Sequence, residues 1–211
     1  SVPSYWPQAA AFLAAHADGR ATLILPGSGF GQQQWGWTID EPMQGLARSP
    51  WITRSQVPLT PGATIRFLDS IEERDDDGLG SPALADVLAR AGVGYVLVRR
   101  DLDVSASGAP TPARVDKALG RSPGFTRVAG FGNSGLLDQA AIDVCRVDRA
   151  VDRVEAQPLA DVRTLVGGPE DVLTALEAGA VGADEPVLIQ PTDAYRHGSA
   201  PDVVGVYGRD H

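Results

Sequence analysis

The sequence predicts an α/β fold: a mixed, largely parallel sheet flanked by helices, with a smaller α/β lobe or extension at the C-terminal end. Short apolar runs rich in β-branched residues alternate along the chain with segments that begin like helices, an order that is typical of a parallel sheet covered by helices. Two of these runs, residues 22–25 and 95–98, have no polar alternation. We therefore expect both faces of those two strands to be buried.

The helices are predicted from the residues at which they begin. A capping residue followed by proline is typical of a first helical turn, and this pair occurs at Thr60-Pro61, Ser81-Pro82, Thr111-Pro112 and Gly168-Pro169. A further helix is predicted over residues 4–17, because apolar side chains recur there at helical spacing before Asp18-Gly19.

The strands are predicted at 21–26, 93–100, 125–131, 141–147, 162–166 and 186–190. The turn-rich segment "GNSGLLDQ" separates the third strand from the fourth, so these two are expected to form an antiparallel pair. The segment 148–161 lies between two groups of helices and strands. We therefore predict an α/β domain over 1–150 and the smaller lobe or extension over 151–211.

Composition and charge exclude several classes of partner. The chain has a net charge of −9, and a nucleic acid or an anionic membrane surface would repel it. No apolar run approaches the ~20 residues that span a bilayer, so this segment is not expected to insert into a membrane. We expect either a cytosolic protein or a soluble piece of a longer exported or membrane protein. With Cys145 as its single cysteine, the chain can form no internal disulfide.

Three glycines at alternate positions, Gly27, Gly29 and Gly31, follow the first predicted strand. A dinucleotide site needs the spacing G-x-G-x-x-G at the start of a helix, whereas glutamines and tryptophans follow here and no Gly-Lys-Ser/Thr motif occurs. We therefore predict no binding of NAD, ATP or nucleotide sugars. The glycines are expected to form a turn that lets the following loop lie across the strand ends.

Catalytic and metal-binding patterns are missing from the sequence. The hydrolase motif G-x-S-x-G does not occur, and the three histidines, His16, His197 and His211, have no metal-ligand spacing. The acidic run 72–78 lacks the alternating ligands of a calcium loop. The sequence thus predicts no catalytic residue, no metal site and no cofactor in this segment.

The segment 27–61 has no helical or strand period, and it contains three of the four tryptophans. The candidate sugar-binding residues in this long loop are Gln34, Trp35, Trp37, Asp40 and Glu41. Indole rings can stack on the C–H faces of a sugar, and carboxylate and amide groups can bind its hydroxyls. The alternative is that Trp35 and Trp37 only anchor the loop on the sheet.

Four stretches, "YWPQAA", "PGSGFGQQQWGWTIDEP", "LARSPW" and "GVGYVLVRRDLD", carry a resemblance over about residues 4–190. The chain resembles the soluble portion of the actinobacterial α-(1→3)-arabinofuranosyltransferases, multi-spanning membrane enzymes of the GT-C type. The resemblance implies a periplasmic location, a polyprenyl-phosphate arabinofuranose donor and an arabinan acceptor. It also implies that the catalytic carboxylate lies in an early loop beside the membrane helices, outside this segment.

Three hypotheses from different classes follow. The first is a non-catalytic periplasmic domain, with the membrane-embedded remainder of the same polypeptide as its partner, that holds or positions the glycan acceptor, an arabinan oligosaccharide. The second is a structural or protein-interaction module that packs on the membrane core or recruits another cell-wall protein and binds no sugar. The third is an independent soluble enzyme, which the missing catalytic patterns disfavour.

Overall fold

The computed structural model of the chain describes residues 1–28, 31–54, 62–76, 78–135, 138–149, 162–190 and 203–206. The helices are α1 (Tyr5–His16), α2 (Pro42–Leu46), α3 (Gly62–Asp76), α4 (Leu84–Arg90), α5 (Val104–Ser107), α6 (Pro112–Arg121) and α7 (Asp171–Glu177). The strands are β1 (Ala21–Leu25), β2 (Gly31–Gln33), β3 (Gly36–Ile39), β4 (Trp51–Ile52), β5 (Val93–Arg99), β6 (Phe125–Phe131), β7 (Ile142–Val147), β8 (Arg163–Val166), β9 (Val187–Gln190) and β10 (Val203–Val206).

A five-stranded mixed sheet in the order β4-β1-β5-β7-β6 is the centre of the fold. Strands β4, β1 and β5 run parallel, and β7 pairs antiparallel with both β5 and β6. A parallel three-stranded sheet, in the order β10-β8-β9, follows later in the chain. The predicted α/β class with a largely parallel, mixed sheet is confirmed.

The central sheet is covered by helices on both faces. Leu23, Leu25 and Val96 belong to a core shared with α3, α4, α6 and α7, whereas Ile24 and Leu97 belong to a second core shared with α1 and α2. The assignment alternates because successive side chains of a strand point to opposite faces. This two-sided burial explains why β1 and β5 have no polar alternation.

The predicted elements agree closely with the observed ones. Each of the six predicted strands is present within one residue of its predicted bounds, and β6 and β7 form the predicted antiparallel pair. Helix α6 begins at Pro112 behind Thr111, as predicted. The helices predicted from Ser81-Pro82 and Gly168-Pro169 begin two residues after each proline, at Leu84 and Asp171. The Thr60-Pro61 start lies outside the described residues.

The segment 27–61 is more regular than a single long loop. Its described residues contain a β-hairpin formed by β2 and β3, the short helix α2 and the edge strand β4. Sequence periodicity misses these elements because each has at most five residues, which is too short to display a period. The domain division near residue 150 stays a prediction, since 150–161 lie outside the described residues.

Candidate functional site

The candidate site lies where β1 and β5 end, at the sheet edge that binds ligands in open α/β folds. The hairpin of β2 and β3 lies across this edge. The backbone amide of Gln34 donates to the backbone carbonyl oxygen of Asp101 at 2.7 Å. The backbone amide of Asp103 donates to the backbone carbonyl oxygen of Gln32 at 2.9 Å. The predicted position of the loop across the strand ends therefore corresponds to the structure.

Asp101, just beyond the end of β5, connects three separate parts of the chain. Its Oδ2 atom accepts hydrogen bonds from the Tyr5 hydroxyl at 3.0 Å, from Trp6 Nε1 at 2.8 Å and from Trp35 Nε1 at 2.6 Å. Its Oδ1 atom is buried and has no hydrogen-bond partner in the described part of the chain. Three donors on one carboxylate oxygen hold α1 and the hairpin loop against the end of the central strand.

The environment of Tyr5 raises the pKa of its hydroxyl above the ordinary value, which is itself well above neutral pH. Burial is the main cause, and the neighbouring Asp101 carboxylate adds to it by charge repulsion and by accepting the hydrogen bond. The neutral hydroxyl can therefore keep its proton and donate to Asp101 throughout the neutral pH range.

Glu41 forms a buried ion pair with Arg99, the last residue of β5. Arg99 is completely buried, and its two terminal nitrogens donate to the two carboxylate oxygens of Glu41, the Nη2–Oε1 distance being 2.8 Å. Arg99 also donates to the Pro26 carbonyl oxygen through Nε at 3.1 Å and Nη2 at 3.0 Å. The Arg99 guanidinium group thus joins the end of β1, the start of α2 and the end of β5. The Glu41 carboxylate therefore has a structural partner.

The two loop tryptophans have different environments. Trp35 is partly buried, packs against the core formed with α1 and donates to Asp101. Trp37 is 72% exposed, and Ile39, two residues later on the same strand, is 67% exposed. Asp40 and Gln34 are also exposed. Trp35 therefore anchors the loop, whereas Trp37 presents its ring to the surroundings.

A pocket of about 180 Å³ lies beside Asp101. Its lining residues come from α1, the hairpin loop, the end of β5 and the β6–β7 connection: Tyr5, Gln34, Trp35, Arg100, Asp101, Asn133, Ser134 and Ala141. Of the predicted sugar-binding residues, Gln34 and Trp35 line the pocket. Trp37, Asp40 and Glu41 do not line it.

Arg100 forms the charged wall of the pocket. Its Nη2 donates to Asp116 at 2.6 Å, and its Nη1 lies 2.8 Å from Asp143 and 3.1 Å from the Ala140 carbonyl oxygen. Its Nε–H group is buried and has no acceptor in the described residues. The pocket is therefore flanked by a cation whose charge two carboxylates already balance.

Two of the glycines after β1, Gly27 and Gly31, lie in closely packed positions. The backbone amide of Gly27 donates to the Glu72 carboxylate at 2.8 Å. A carboxylate of the protein therefore already binds the amide that a phosphate would need. A Cβ atom at Gly27 would lie 2.7 Å from the Arg54 carbonyl oxygen, so only glycine permits this approach. Gly31 begins β2 and not a helix, which leaves no helix dipole for a pyrophosphate.

In the described segments, no three histidine, cysteine, aspartate or glutamate side chains lie close enough together to hold a metal ion. His16 Nδ1 donates to the Phe12 carbonyl oxygen on the exposed side of α1, and His197 and His211 lie outside the described residues. None of the helices within the described segments has the length and apolar character needed to cross a bilayer.

Comparison with known proteins identifies the family. A family model described as "Alpha-(1->3)-arabinofuranosyltransferase, N-terminal GT-C domain" matches residues 1–206. This chain belongs to that arabinofuranosyltransferase family. The α-(1→3)-arabinofuranosyltransferase of Mycolicibacterium smegmatis is 37% identical over 97% of this chain, and that of Mycobacterium tuberculosis is 43% identical over 63%.

The solved structures of arabinofuranosyltransferase AftD from mycobacteria have the same fold. One cryo-EM structure aligns with a TM-score of 0.80 and 34% identity over 97% of this chain, and a second, of a mutant, aligns with a TM-score of 0.75 and 31% identity over 90%. The chain spans 16% of the M. smegmatis relative and 17% of the first of these structures. It therefore corresponds to one segment of a much larger arabinofuranosyltransferase.

Sequence reasoning missed the pocket residues that lie outside the loop 27–61. Tyr5, Arg100, Asp101, Asn133 and Ser134 come from three distant parts of the chain. One signal was available: the charged run "RRD" lies at the end of a buried strand, the place where α/β folds position functional side chains. Asn133 and Ser134 carried no signal beyond that of a turn.

Proposed function

We propose that this chain is a non-catalytic, periplasmic domain of a membrane arabinofuranosyltransferase that positions the arabinan acceptor. The remainder of the polypeptide would transfer arabinofuranose from a polyprenyl-phosphate donor. The observation that carries the proposal is the pocket where the tryptophan-bearing loop meets the end of β5. Family membership supports arabinan as the glycan.

The surface chemistry around this pocket suits a carbohydrate. Trp37 offers a largely exposed indole ring, and exposed aromatic faces stack on the C–H groups of sugars. Gln34 is exposed at the pocket and can both donate and accept hydrogen bonds. A glycan could therefore contact the pocket through Gln34 and the neighbouring hairpin through Trp37.

The non-catalytic role is supported by the way in which the acidic groups of the site are used. Glu41 is held by the buried Arg99, and one oxygen of Asp101 accepts three structural hydrogen bonds. A general acid or base needs freedom to exchange a proton with the substrate, whereas these carboxylates hold elements of the fold together.

The exposed pair Trp37 and Ile39 favours a second function, that of an interaction module which binds no sugar. Two large apolar side chains, 72% and 67% exposed, lie two residues apart on β3, and exposed apolar surface often marks a protein contact. In the longer protein this pair would pack against another part of the same polypeptide.

Titration of the 15N-labelled 211-residue chain with linear α-linked arabinofuranose oligosaccharides tests the proposal by NMR. We expect shifts of the Trp35 and Trp37 indole signals and of the Gln34 side-chain amide. A malto-oligosaccharide of the same length serves as the control glycan and should cause no shifts of these signals. An absence of shifts with arabinan would refute sugar binding and favour the interaction module.

A further inference from the structure

We propose that strand β3 of the hairpin binds an arginine-bearing, otherwise apolar segment of the longer arabinofuranosyltransferase polypeptide. The indole ring of Trp37 stacks on the guanidinium group of that segment, and Ile39 contacts its apolar side chains. This inference deepens the second function proposed above, that of an interaction module, and rests on it. The surface is separate from the pocket at Asp101, which neither residue lines.

The Trp37 ring is exposed but fixed in its orientation. It is 72% exposed, yet its Nε1 donates to the side-chain oxygen of Gln32 at 3.3 Å when the Gln32 amide has the orientation that satisfies its neighbours. In that orientation the side-chain nitrogen of Gln32 donates to the Ala106 carbonyl oxygen of α5 at 3.0 Å. A surface ring that is already held in place loses little conformational freedom when a partner binds.

Ile39 has a backbone conformation that isoleucine rarely adopts. Its φ angle is 66°, in the left-handed region where asparagine and glycine are favoured and a β-branched residue is strained. Its side chain is 67% exposed, so it adds little to the packing of the described fold. A strained and exposed isoleucine beside an exposed tryptophan therefore indicates a contact made outside this chain.

The surroundings of Trp37 and Ile39 are acidic. Asp40 follows Ile39 and is exposed, whereas Asp103 is partly exposed and donates its backbone amide to Gln32, the residue that holds Trp37. Neither carboxylate has an ion-pair partner within the described segments. The Asp103 carboxylate caps α5 through backbone amides, which leaves its negative charge unbalanced.

An indole face near two unpaired carboxylates selects a planar cation. Tryptophan is the best aromatic partner for a cation, and arginine both stacks on aromatic rings and pairs with carboxylates. An anionic lipid headgroup would be repelled by these carboxylates and by the net charge of −9. A neutral sugar would leave the two charges unbalanced. The occupant that fits is therefore a polypeptide segment with an arginine beside apolar side chains.

The lengths of the relatives indicate the source of this segment. The chain spans 16% of the M. smegmatis relative and 17% of the first solved structure, so most of such a polypeptide lies outside the segment described. Contacts between the domains of one chain combine apolar and polar groups, as this surface does. A second copy of the chain would instead bring a further charge of −9 to the contact.

The peptide acetyl-Leu-Arg-Leu-amide and its citrulline counterpart test the chemistry of the surface by NMR titration of the 15N-labelled 211-residue chain. Citrulline has nearly the shape of arginine but carries no charge. We expect the arginine peptide to shift the Trp37 indole signal and the backbone amides of residues 36–40. The citrulline peptide should bind about three- to fivefold more weakly, the effect of losing an exposed cation–π contact.

Three variants separate binding from folding. Trp37→Leu removes the ring but keeps an apolar side chain, and Asp103→Asn removes the charge but keeps a capping residue, so both should weaken binding of the arginine peptide. Ile39→Asn removes the apolar contact and relieves the backbone strain, so it should weaken binding while the urea midpoint stays the same or rises. The control is Leu79→Ala, at a residue that is 63% exposed and lies outside the hairpin, and it should not change binding.

Hydrogen exchange followed by mass spectrometry tests the source of the partner. We expect the amides of residues 36–40 to exchange at least tenfold more slowly in the full-length polypeptide in detergent than in the 211-residue chain. Trp37→Leu combined with Ile39→Asn should remove this protection. Protection that appears only in a lipid bilayer would assign the surface to lipid and overturn the inference.

The outcomes separate the arginine contact from the wider interaction function. Equal binding of the arginine and citrulline peptides would overturn the arginine contact, whereas protection of β3 in the full-length polypeptide would still support an interaction module. Equal exchange in both forms of the protein would refute both. The glycan-positioning function depends on neither result, because the oligosaccharide titration tests it separately.

Discussion

Replacement of Trp35 by phenylalanine should destabilise the chain, whereas the same replacement at Trp37 should not. The Trp35 indole donates to Asp101 Oδ2 at 2.6 Å and packs against the core formed with α1. Phenylalanine keeps most of the aromatic contact but has no N–H group. The Trp37 ring is 72% exposed, so its replacement removes little that folding had buried.

The expected loss of stability follows from the charge of the acceptor, the Asp101 carboxylate. A hydrogen bond to a charged group contributes about 1.5 to 3 kcal/mol to the free energy of unfolding, and the partly buried indole loses some contact area in addition. We expect Trp35→Phe to lower the free energy of unfolding by about 2 kcal/mol. Trp35→Ala should lower it further, although by less than the 3 to 5 kcal/mol typical of a fully buried tryptophan. Trp37→Phe should change it by less than about 0.5 kcal/mol, as is usual for surface positions.

Urea unfolding followed by far-ultraviolet circular dichroism measures these differences. A loss of about 2 kcal/mol lowers the midpoint by roughly 1 M urea when the slope is about 2 kcal/mol per molar. An unchanged slope of the free energy against urea concentration would show that the replacement changed the stability and not the compactness of the unfolded state. Equal losses for Trp35→Phe and Trp37→Phe, or no loss for Trp35→Phe, would refute the assignment of Trp35 as the anchor.

Three further predictions concern the ion pair, the cysteine and the glycine loop. Glu41→Ala should cost about 3 to 5 kcal/mol in urea melts because it leaves the buried Arg99 unpaired, whereas Glu41→Leu combined with Arg99→Met should cost much less; equal losses would contradict a buried pair. Burial raises the pKa of the Cys145 thiol from 9.0 to about 11, so iodoacetamide at about pH 8 should alkylate the folded chain far more slowly than the chain in urea, and similar rates would argue against it. Since the unfolded thiol loses its proton at the lower pH, its contribution to stability is present below pH 9 and is lost as the pH rises towards 11. NAD and ATP should not raise the melting temperature, because the Gly27 amide already binds Glu72; a ligand at 100 times its Kd would add about 2.7 kcal/mol and be readily detected.

The positions of the strands and helices followed from local patterns. The apolar runs at 21–26 and 93–100 identified β1 and β5 within one residue, and Thr111-Pro112 identified the start of α6. These signals are readable because the periodicity of a strand or helix and the chemistry of a cap involve residues that are close in the sequence. The end of β5, and with it the edge of the sheet where the site lies, was therefore predictable.

The roles of individual loop residues were decided by tertiary structure. Trp35 and Trp37 have the same chemistry and similar neighbours in the sequence, yet one is anchored to Asp101 and the other is largely exposed. Glu41 was equally suited to a sugar hydroxyl until the fold placed the buried Arg99 beside it, 58 positions away in the sequence. The packing of distant segments decides which donor lies next to a given acceptor, and the local sequence does not specify it.

What the sequence by itself determined is the α/β class, the bounds of its main elements and the family resemblance, because each depends on the identity or spacing of nearby residues. What only the tertiary structure decided is the pocket at Asp101. Its three donors, Tyr5, Trp6 and Trp35, lie 96, 95 and 66 positions away in the sequence. They meet because two-sided burial of the sheet packs α1 and the hairpin against the end of β5.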